Sequence, residues 1–202
     1  MVAGGAPTND DAGAPALWVL GVFLPTDEAL LIRDLKNGSA RAYSLVLETH
    51  GPHLLRMATG MLGNPADAED VLQQTMLSMF KSIGSFRGEA ALSTWLTRIL
   101  FNQVSRVRKL RATKSAVSID RDSPAIPSAP GDAPAAVRAR IDLAAMLDAL
   151  SSEHRDILVL RELQGLSYRE ISDLLDVPQG TVESRLFRAR EQLRQKFAGY
   201  EL

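Results

Sequence analysis

Arginine side chains recur along one short stretch near the C-terminal end of the chain. Between Gly180 and Phe197 the only acidic residues are Glu183 and Glu191. The basic residues of this stretch are Arg185, Arg188, Arg190, Arg194 and Lys196. The guanidinium group is a planar fork of donors that matches phosphate oxygens and the edge of guanine. These residue types therefore favour contact with nucleic acid over bond-making chemistry.

A second basic stretch lies far away in the sequence. No acidic residue occurs between Glu89 and Asp120. Its basic residues are Arg98, Arg106, Arg108, Lys109, Arg111 and Lys114. The formal net charge of -1 conceals both stretches, because acidic residues elsewhere cancel them. Two separated basic segments predict two phosphate-binding surfaces.

Residues suited to catalysis or metal binding form no evident set. The chain contains no cysteine, which excludes disulfides, thiolate metal sites and cysteine nucleophiles. His50 and His53 are separated by Gly51 and Pro52, and no carboxylate completes a ligand set with them. We also find no phosphate-cradling glycine loop and no nucleophile with a paired base. We therefore expect a protein that is not an enzyme and needs no metal or cofactor.

The C-terminal arginines belong to two short amphipathic helices separated by a turn. Ser167 and Glu170 have the spacing of a capping box, which predicts a helix that begins near Tyr168. Pro178 suits the first turn of a following helix. The apolar stripe of that second helix is Val182, Leu186, Ala189 and Leu193. The pattern predicts a helix-turn-helix whose second helix enters a duplex groove, although a helical hairpin with solvated arginines fits the spacing too.

Helical periodicity also fills the chain before the basic run at 106–114. Asn64 and Pro65 have the residue types of a cap and a first helical position, and the helix that they begin exposes a polar face around Gln73. Residues 85–90 read as a loop, and the apolar helix after it ends in the basic run. The pattern stays helical from Asp27 to the basic run and is helical again in the C-terminal part, so the sequence predicts an all-α fold.

Composition divides the chain into four segments. Residues 1–25 are rich in alanine, glycine and proline, which predicts a disordered tail, and they lack the positive start of a secretory signal. Residues 26–111 form the first helical domain. The proline-rich segment 112–136 is a flexible linker, and residues 137–202 form the second domain. We expect no membrane insertion, because the longest apolar run is far too short to span a bilayer.

Three segments carry a resemblance to a known family. They are DAEDVLQQTMLSMFKSI, FRGEAALSTWLTRILFNQ and LSYREISDLLDVPQGTVESRLFRARE, in that order. From about Asp27 to Phe197 the chain resembles the extracytoplasmic-function sigma factors, group IV of the sigma-70 family of bacterial RNA polymerase initiation subunits. The resemblance implies that the first domain is sigma domain 2 and the second is the helix-turn-helix of sigma domain 4.

The resemblance implies three sets of site residues. The first would dock on core RNA polymerase and comprises Asp70, Gln73 and Gln74. The second would contact the -10 promoter element and comprises Phe86, Arg87, Gly88, Glu89, Asn102, Arg106, Arg108, Lys109 and Arg111. The third would contact the -35 element and comprises Thr181, Ser184, Arg185, Phe187, Arg188 and Arg190. Glu183 stands where relatives often carry a basic residue, which leaves the -35 sequence open.

The implied function is that of a sigma factor, which directs core polymerase to promoters and assists melting. Its partners would be the β′ clamp helices and the β flap of the polymerase, promoter DNA and an anti-sigma factor, all in the cytoplasm. One alternative is a two-domain helix-turn-helix regulator that is not a polymerase subunit, which would not need the segment 86–102. Another is an all-helical protein-interaction module, which predicts no DNA contact.

Overall fold

The computed structural model describes residues 25–117 and 143–197 of the 202-residue chain. All regular structure within these two ranges is helical, so the predicted all-α fold is confirmed. The tail predicted for residues 1–25 lies outside the described residues except for its last position. Most of the predicted linker also lies outside them.

The first described range folds into four helices and one 3₁₀ turn. The helices are α1 (Pro25–Lys36), α2 (Ala40–Leu62), α3 (Pro65–Ser82) and α4 (Leu92–Val117), with the 3₁₀ turn Ile83–Ser85 after α3. The Asn64 side chain accepts hydrogen bonds from the backbone N–H groups of Ala66 and Asp67, so the cap predicted from the sequence is confirmed. Helix α4 continues beyond Arg111, where the sequence pattern predicts its end.

The core of this range lies between α2, α3 and α4. Helix α2 runs unbroken through Pro52, because burial of apolar side chains on both sides of it outweighs the hydrogen bond that proline cannot donate. In α4 the side chains of Leu92, Leu96, Leu100 and Val104 are all buried at a spacing of four residues. That stripe fixes α4 against α2 and α3.

The second described range is also helical. It contains α5 (143–148), α6 (Ser152–Leu158) with a π-helical turn at Val159–Leu163, α7 (Tyr168–Leu175) and α8 (Gln179–Lys196). The capping box is formed by Ser167 and Glu170, as predicted. Asp176 takes a left-handed conformation, and Pro178 precedes α8 as its N-cap. The predicted apolar stripe is confirmed, since Val182, Leu186, Ala189 and Leu193 are buried.

The two helical sets pack against each other through α2. A Cβ atom on Gly60 would lie 3.2 Å from Val159 Cγ2 and 3.3 Å from Leu147 Cδ1. Only glycine allows the backbone of α2 to come this close to the second set without displacing those side chains. Gly63, which ends α2 in a left-handed conformation, lies next to Asp148 in the same way.

An ion pair between the half-buried Arg108 and the buried Asp156 joins the same two sets. Arg108 donates from Nη1 to Asp156 Oδ2 at 2.5 Å and from Nη2 to Asp156 Oδ1 at 2.7 Å. Its Nη2 also donates to the carbonyl of Met61 at 2.7 Å. Asp156 is only 5 % exposed, and this burial raises the pKa of its carboxyl, while the hydrogen bonds from Arg108 oppose the rise. Helix α4 is thereby tied at Arg108 to α6 and to the end of α2.

We predict that Ser167→Ala lowers the free energy of unfolding by about 1 kcal/mol, because the N-cap of α7 is lost. Urea denaturation at neutral pH measures this, with the exposed Ser44→Ala as a control.

Hydrogen bonds from the backbone and side chain of Ser167 lower the pKa of Glu170. Such a carboxylate stabilises the fold above its unfolded pKa and loses this effect as pH falls. Part of the difference in the free energy of unfolding between the wild type and Ser167→Ala should therefore disappear below a pH of about 4.3. A difference that does not depend on pH would contradict the proposed cap.

We predict that Arg108→Met separates the two helical sets, because removing one partner of a buried pair costs about 3 kcal/mol or more. The absence of cysteine allows dyes to be attached to Ser44→Cys and Gln195→Cys, and energy transfer between them should fall. The double variant Arg108→Met, Asp156→Leu leaves no buried charge and should recover much of the transfer. Arg106→Met, at an exposed position of the same helix, should change nothing. Equal effects of both arginine variants would contradict the role of the pair.

Candidate nucleic-acid interface

The loop between the 3₁₀ turn and α4 combines a buried aromatic floor with an exposed rim. Phe86 is 6 % exposed, and its ring centroid lies 4.9 Å from that of Trp95. Arg87, Gly88 and Glu89 are exposed, and Gly88 has a φ of +74°, which favours glycine. The half-buried Trp95 on α4 packs its ring against Phe86 and thereby supports the loop.

Both ends of this loop are held by α1. Lys36 Nζ donates to the carbonyl of Phe86 at 2.7 Å. The N–H of Leu92 donates to Glu28 Oε1, also at 2.7 Å. Sequence reasoning did not single out Glu28 or Lys36. The one available signal was Ala91, which precedes α4 and offers no side-chain acceptor to cap it.

The structure divides the predicted -10 residues of α4 into two groups. Asn102, Arg106 and Lys109 are exposed on the helix. Arg108 pairs with Asp156, and Arg111 pairs with Asp67. Arg108 and Arg111 are thus partly engaged by carboxylates, whereas the first three residues are accessible as they stand.

The predicted -35 residues lie on the outer side of α8. Ser184, Phe187 and Arg188 are exposed, and Phe187 leaves 66 % of its surface in solvent. Thr181 is half-buried, and its carbonyl accepts a hydrogen bond from Ser184 Oγ at 3.1 Å. An exposed phenylalanine next to an exposed arginine suits the apolar and polar edges of a base pair in the major groove.

Two flanking arginines of α8 are held by carboxylates of the second helical set. Arg185 lies 2.9 Å from Glu153, and Arg190 lies 2.6 Å from Glu162. These pairs orient the long side chains along the edges of the exposed face. The centre of the face is therefore Ser184, Phe187 and Arg188.

The predicted polymerase-docking residues share one face of α3. Asp70, Gln73 and Gln74 are exposed at a spacing of three and four residues. An apolar groove adjoins Gln73, with Leu77 and Phe80 46 % and 56 % exposed. Met79 is buried, whereas the neighbouring Phe80 is exposed. The exposed Phe80 therefore belongs to the outer surface.

The two histidines of α2 have structural neighbours. His53 Nε2 lies 2.5 Å from Gln164 Oε1 in the second helical set. Burial lowers the pKa of His50, and the nearby Glu28 opposes that shift. Within the part of the chain that the structure describes, no group of three or more potential ligands could hold a metal ion.

No helix in the described ranges is both long enough and apolar enough to cross a membrane.

Comparison with known proteins matches both helical sets. Residues 46–113 match the family described as Sigma-70 region 2, and residues 140–193 match Sigma-70, region 4. The ECF RNA polymerase sigma factor SigE of Mycolicibacterium smegmatis is 34 % identical, over 90 % of this chain and 71 % of the relative. The RNA polymerase sigma-H factor of Pseudomonas aeruginosa is 30 % identical, over 81 % of this chain and 90 % of the relative.

Solved structures share the fold. The sigma factor RpoE of Bartonella quintana, in complex with the anti-sigma factor NepR, aligns with a TM-score of 0.67 at 23 % identity, covering 80 % of this chain and 100 % of that one. CnrH, in complex with the cytosolic domain of CnrY, aligns with a TM-score of 0.63 at 22 % identity, covering 86 % and 99 %. Motifs, fold and relatives agree, and the chain belongs to the extracytoplasmic-function sigma factors of the sigma-70 family.

Proposed function

We propose that this sigma factor uses three separate surfaces to start transcription. The α3 face at Asp70, Gln73 and Gln74 docks on the β′ clamp helices of core RNA polymerase. The loop at 86–91 and the outer side of α4 bind the -10 element, and α8 reads the -35 element. The observation that carries the proposal is that one chain exposes all three surfaces together.

The loop at 86–91 suits an unstacked base. Extracting a base from a duplex costs a few kcal/mol, which a formed pocket must offset. The buried Phe86 ring gives that pocket an apolar floor, and the exposed Arg87, Gly88 and Glu89 give it polar rim groups. Asn102 and Arg106 lie exposed further along α4, where they contact the strand and its phosphates. A helix-turn-helix regulator outside the polymerase would have no use for this loop.

The α8 surface suits sequence-specific contact with duplex DNA. Arg188 is exposed, and a bidentate arginine contact to guanine contributes about 1 to 3 kcal/mol of discrimination. Ser184 and Phe187 contact the neighbouring bases. Arg185 and Arg190 flank them and hold backbone phosphates once they leave their carboxylate partners.

The proposed domain organisation follows from these assignments. Residues 26–111 act as sigma domain 2 and residues 137–202 as sigma domain 4. The segment 112–136 connects them, although α4 continues into it as far as Val117, and residues 1–25 precede the first domain. Arg108 is paired with Asp156 of the second domain, so a contact with a -10 phosphate would compete with that pair.

The remaining partners are proposed by analogy with the family. The second domain contacts the β flap, and an anti-sigma factor binds the chain, as the sigma factor RpoE of Bartonella quintana was solved with the anti-sigma factor NepR. The chain works in the cytoplasm, where the polymerase and promoter DNA are found. It performs no catalysis of its own and uses no metal or cofactor.

We predict that Gln73→Ala with Gln74→Ala weakens binding to core polymerase about tenfold, because two side chains at the centre of the docking face are truncated. Fluorescence anisotropy of the labelled chain, titrated with core polymerase, measures this. Gln195→Ala, an exposed glutamine of α8, is the matched control and should leave the affinity unchanged. Equal affinity of all variants for core polymerase would contradict the docking role proposed for α3.

We predict that Arg188→Ala and Arg106→Ala have different effects on promoter binding. Loss of Arg188 should relax preference at one -35 position, because a base contact disappears. Loss of Arg106 should weaken binding to all promoters alike and lower the slope of log affinity against log salt by about one, because a phosphate contact disappears. Holoenzyme binding to a panel of promoter variants at several salt concentrations distinguishes them. Uniform loss from both variants would contradict the assigned roles.

A further inference from the structure

Helix α1 holds the loop at 86–91 from both sides. Its two contacts are Lys36 Nζ with the Phe86 carbonyl and Glu28 Oε1 with the Leu92 N–H, each at 2.7 Å. Eight residues separate Glu28 from Lys36, which places them about 12 Å apart along the helix axis. Helix α1 also precedes residue 46, where the match to Sigma-70 region 2 begins. One rigid element outside that match therefore fixes both ends of the loop.

The contact at Leu92 supplies a hydrogen-bond acceptor for the first N–H group of α4, which the loop itself lacks. The first N–H groups of a helix have no intrahelical acceptor, and Ala91 has no side-chain oxygen to offer. Leu92 is 1 % exposed, so an uncapped N–H would be poorly solvated. A carboxylate at this position also interacts favourably with the helix dipole. Glu28 thus fixes the start of α4 from outside the loop.

The contact at Phe86 fixes the other end. The Phe86 N–H donates to the Ile83 carbonyl at 3.1 Å and closes the 3₁₀ turn. Its ring packs on Trp95, and Lys36 binds its carbonyl. Phe86 is thus held by three contacts, and the exposed residues 87–91 follow it directly. Helix α1 is itself held in the core by Leu31 and Leu35, so the anchorage has a rigid base.

We propose that Glu28 and Lys36 are positioning residues for the -10 loop. They hold residues 86–91 in the shape that receives an unstacked base, and neither contacts DNA. The inference rests on the -10 role proposed above for this loop. A loop held in its binding conformation before DNA arrives avoids the entropic cost of ordering at that step. Mutation of Glu28 or Lys36 is therefore expected to slow promoter opening and to leave duplex binding at the -35 element unchanged.

The first arm of the test follows the loop without DNA. The chain has two tryptophans, so Trp18→Phe leaves Trp95 as the single reporter under Phe86. Glu28→Ala and Lys36→Met should increase collisional quenching of Trp95 fluorescence by acrylamide. Glu28→Gln keeps an acceptor and Lys36→Arg keeps a donor, so both should restore protection. Glu48→Ala, at an exposed position of α2, is the matched control.

The second arm measures opening by holoenzyme. A promoter fragment selected from a randomised pool with the wild-type holoenzyme carries 2-aminopurine in the non-template strand of its -10 element. Glu28→Ala and Lys36→Met should slow the fluorescence rise about tenfold, while Glu28→Gln and Lys36→Arg restore it. Affinities for core polymerase and for the -35 duplex should stay within about twofold of wild type.

The outcomes separate this inference from the function on which it rests. Opening by Glu28→Ala and Lys36→Met as fast as by Glu48→Ala would overturn the positioning role and leave the sigma function intact. Parallel loss of opening, core affinity and -35 binding would also overturn it, because that pattern reports general unfolding. If the wild-type holoenzyme selects no promoter, the proposed function fails and the inference fails with it.

Discussion

The buried pair of Arg108 and Asp156 is the interaction on which the arrangement of the two helical sets depends. Taking two charges out of water is costly, and their mutual attraction repays the cost only when geometry and hydrogen bonds are good. Here both terminal nitrogens of the guanidinium group donate to Asp156, and the Met61 carbonyl accepts a third hydrogen bond. The pair therefore contributes less to net stability than to specificity, because it forms only when the two sets pack with Arg108 facing Asp156. The close approach at Gly60 supplies the apolar part of the same contact.

This arrangement affects the two proposed DNA surfaces differently. The centre of the α8 face is exposed, so its side chains are accessible while the helical sets are packed together. The basic end of α4 is only partly accessible, because Arg108 faces the second set and Arg111 pairs with Asp67. A contact of Arg108 with a -10 phosphate would therefore compete with the pair that joins the two sets. The same residue thus links the shape of the free chain to one step of DNA binding.

Local features of the fold could be predicted from the sequence, because they depend on neighbours a few residues apart. The Asn64 cap, the capping box at Ser167 and the buried stripe of α8 are of this kind. Contacts between distant segments could not, and Leu92 with Glu28 and Arg108 with Asp156 are separated by 64 and 48 residues. Pro52 lies inside α2, where packing overrides a residue that usually ends a helix. The order of three motifs indicated the family, whereas the supports of the loop at 86–91 required coordinates.

Run-off transcription is the most direct measurement of whether the chain is a working initiation subunit. Core RNA polymerase alone starts poorly and without selectivity on linear DNA, so specific starts depend on the added subunit. Core polymerase combined with the wild-type chain should produce discrete transcripts from a subset of fragments in a genomic library, with a shared sequence upstream of each start. Transcription indistinguishable from that of core polymerase alone, at concentrations where the two proteins are shown to bind, would contradict the account.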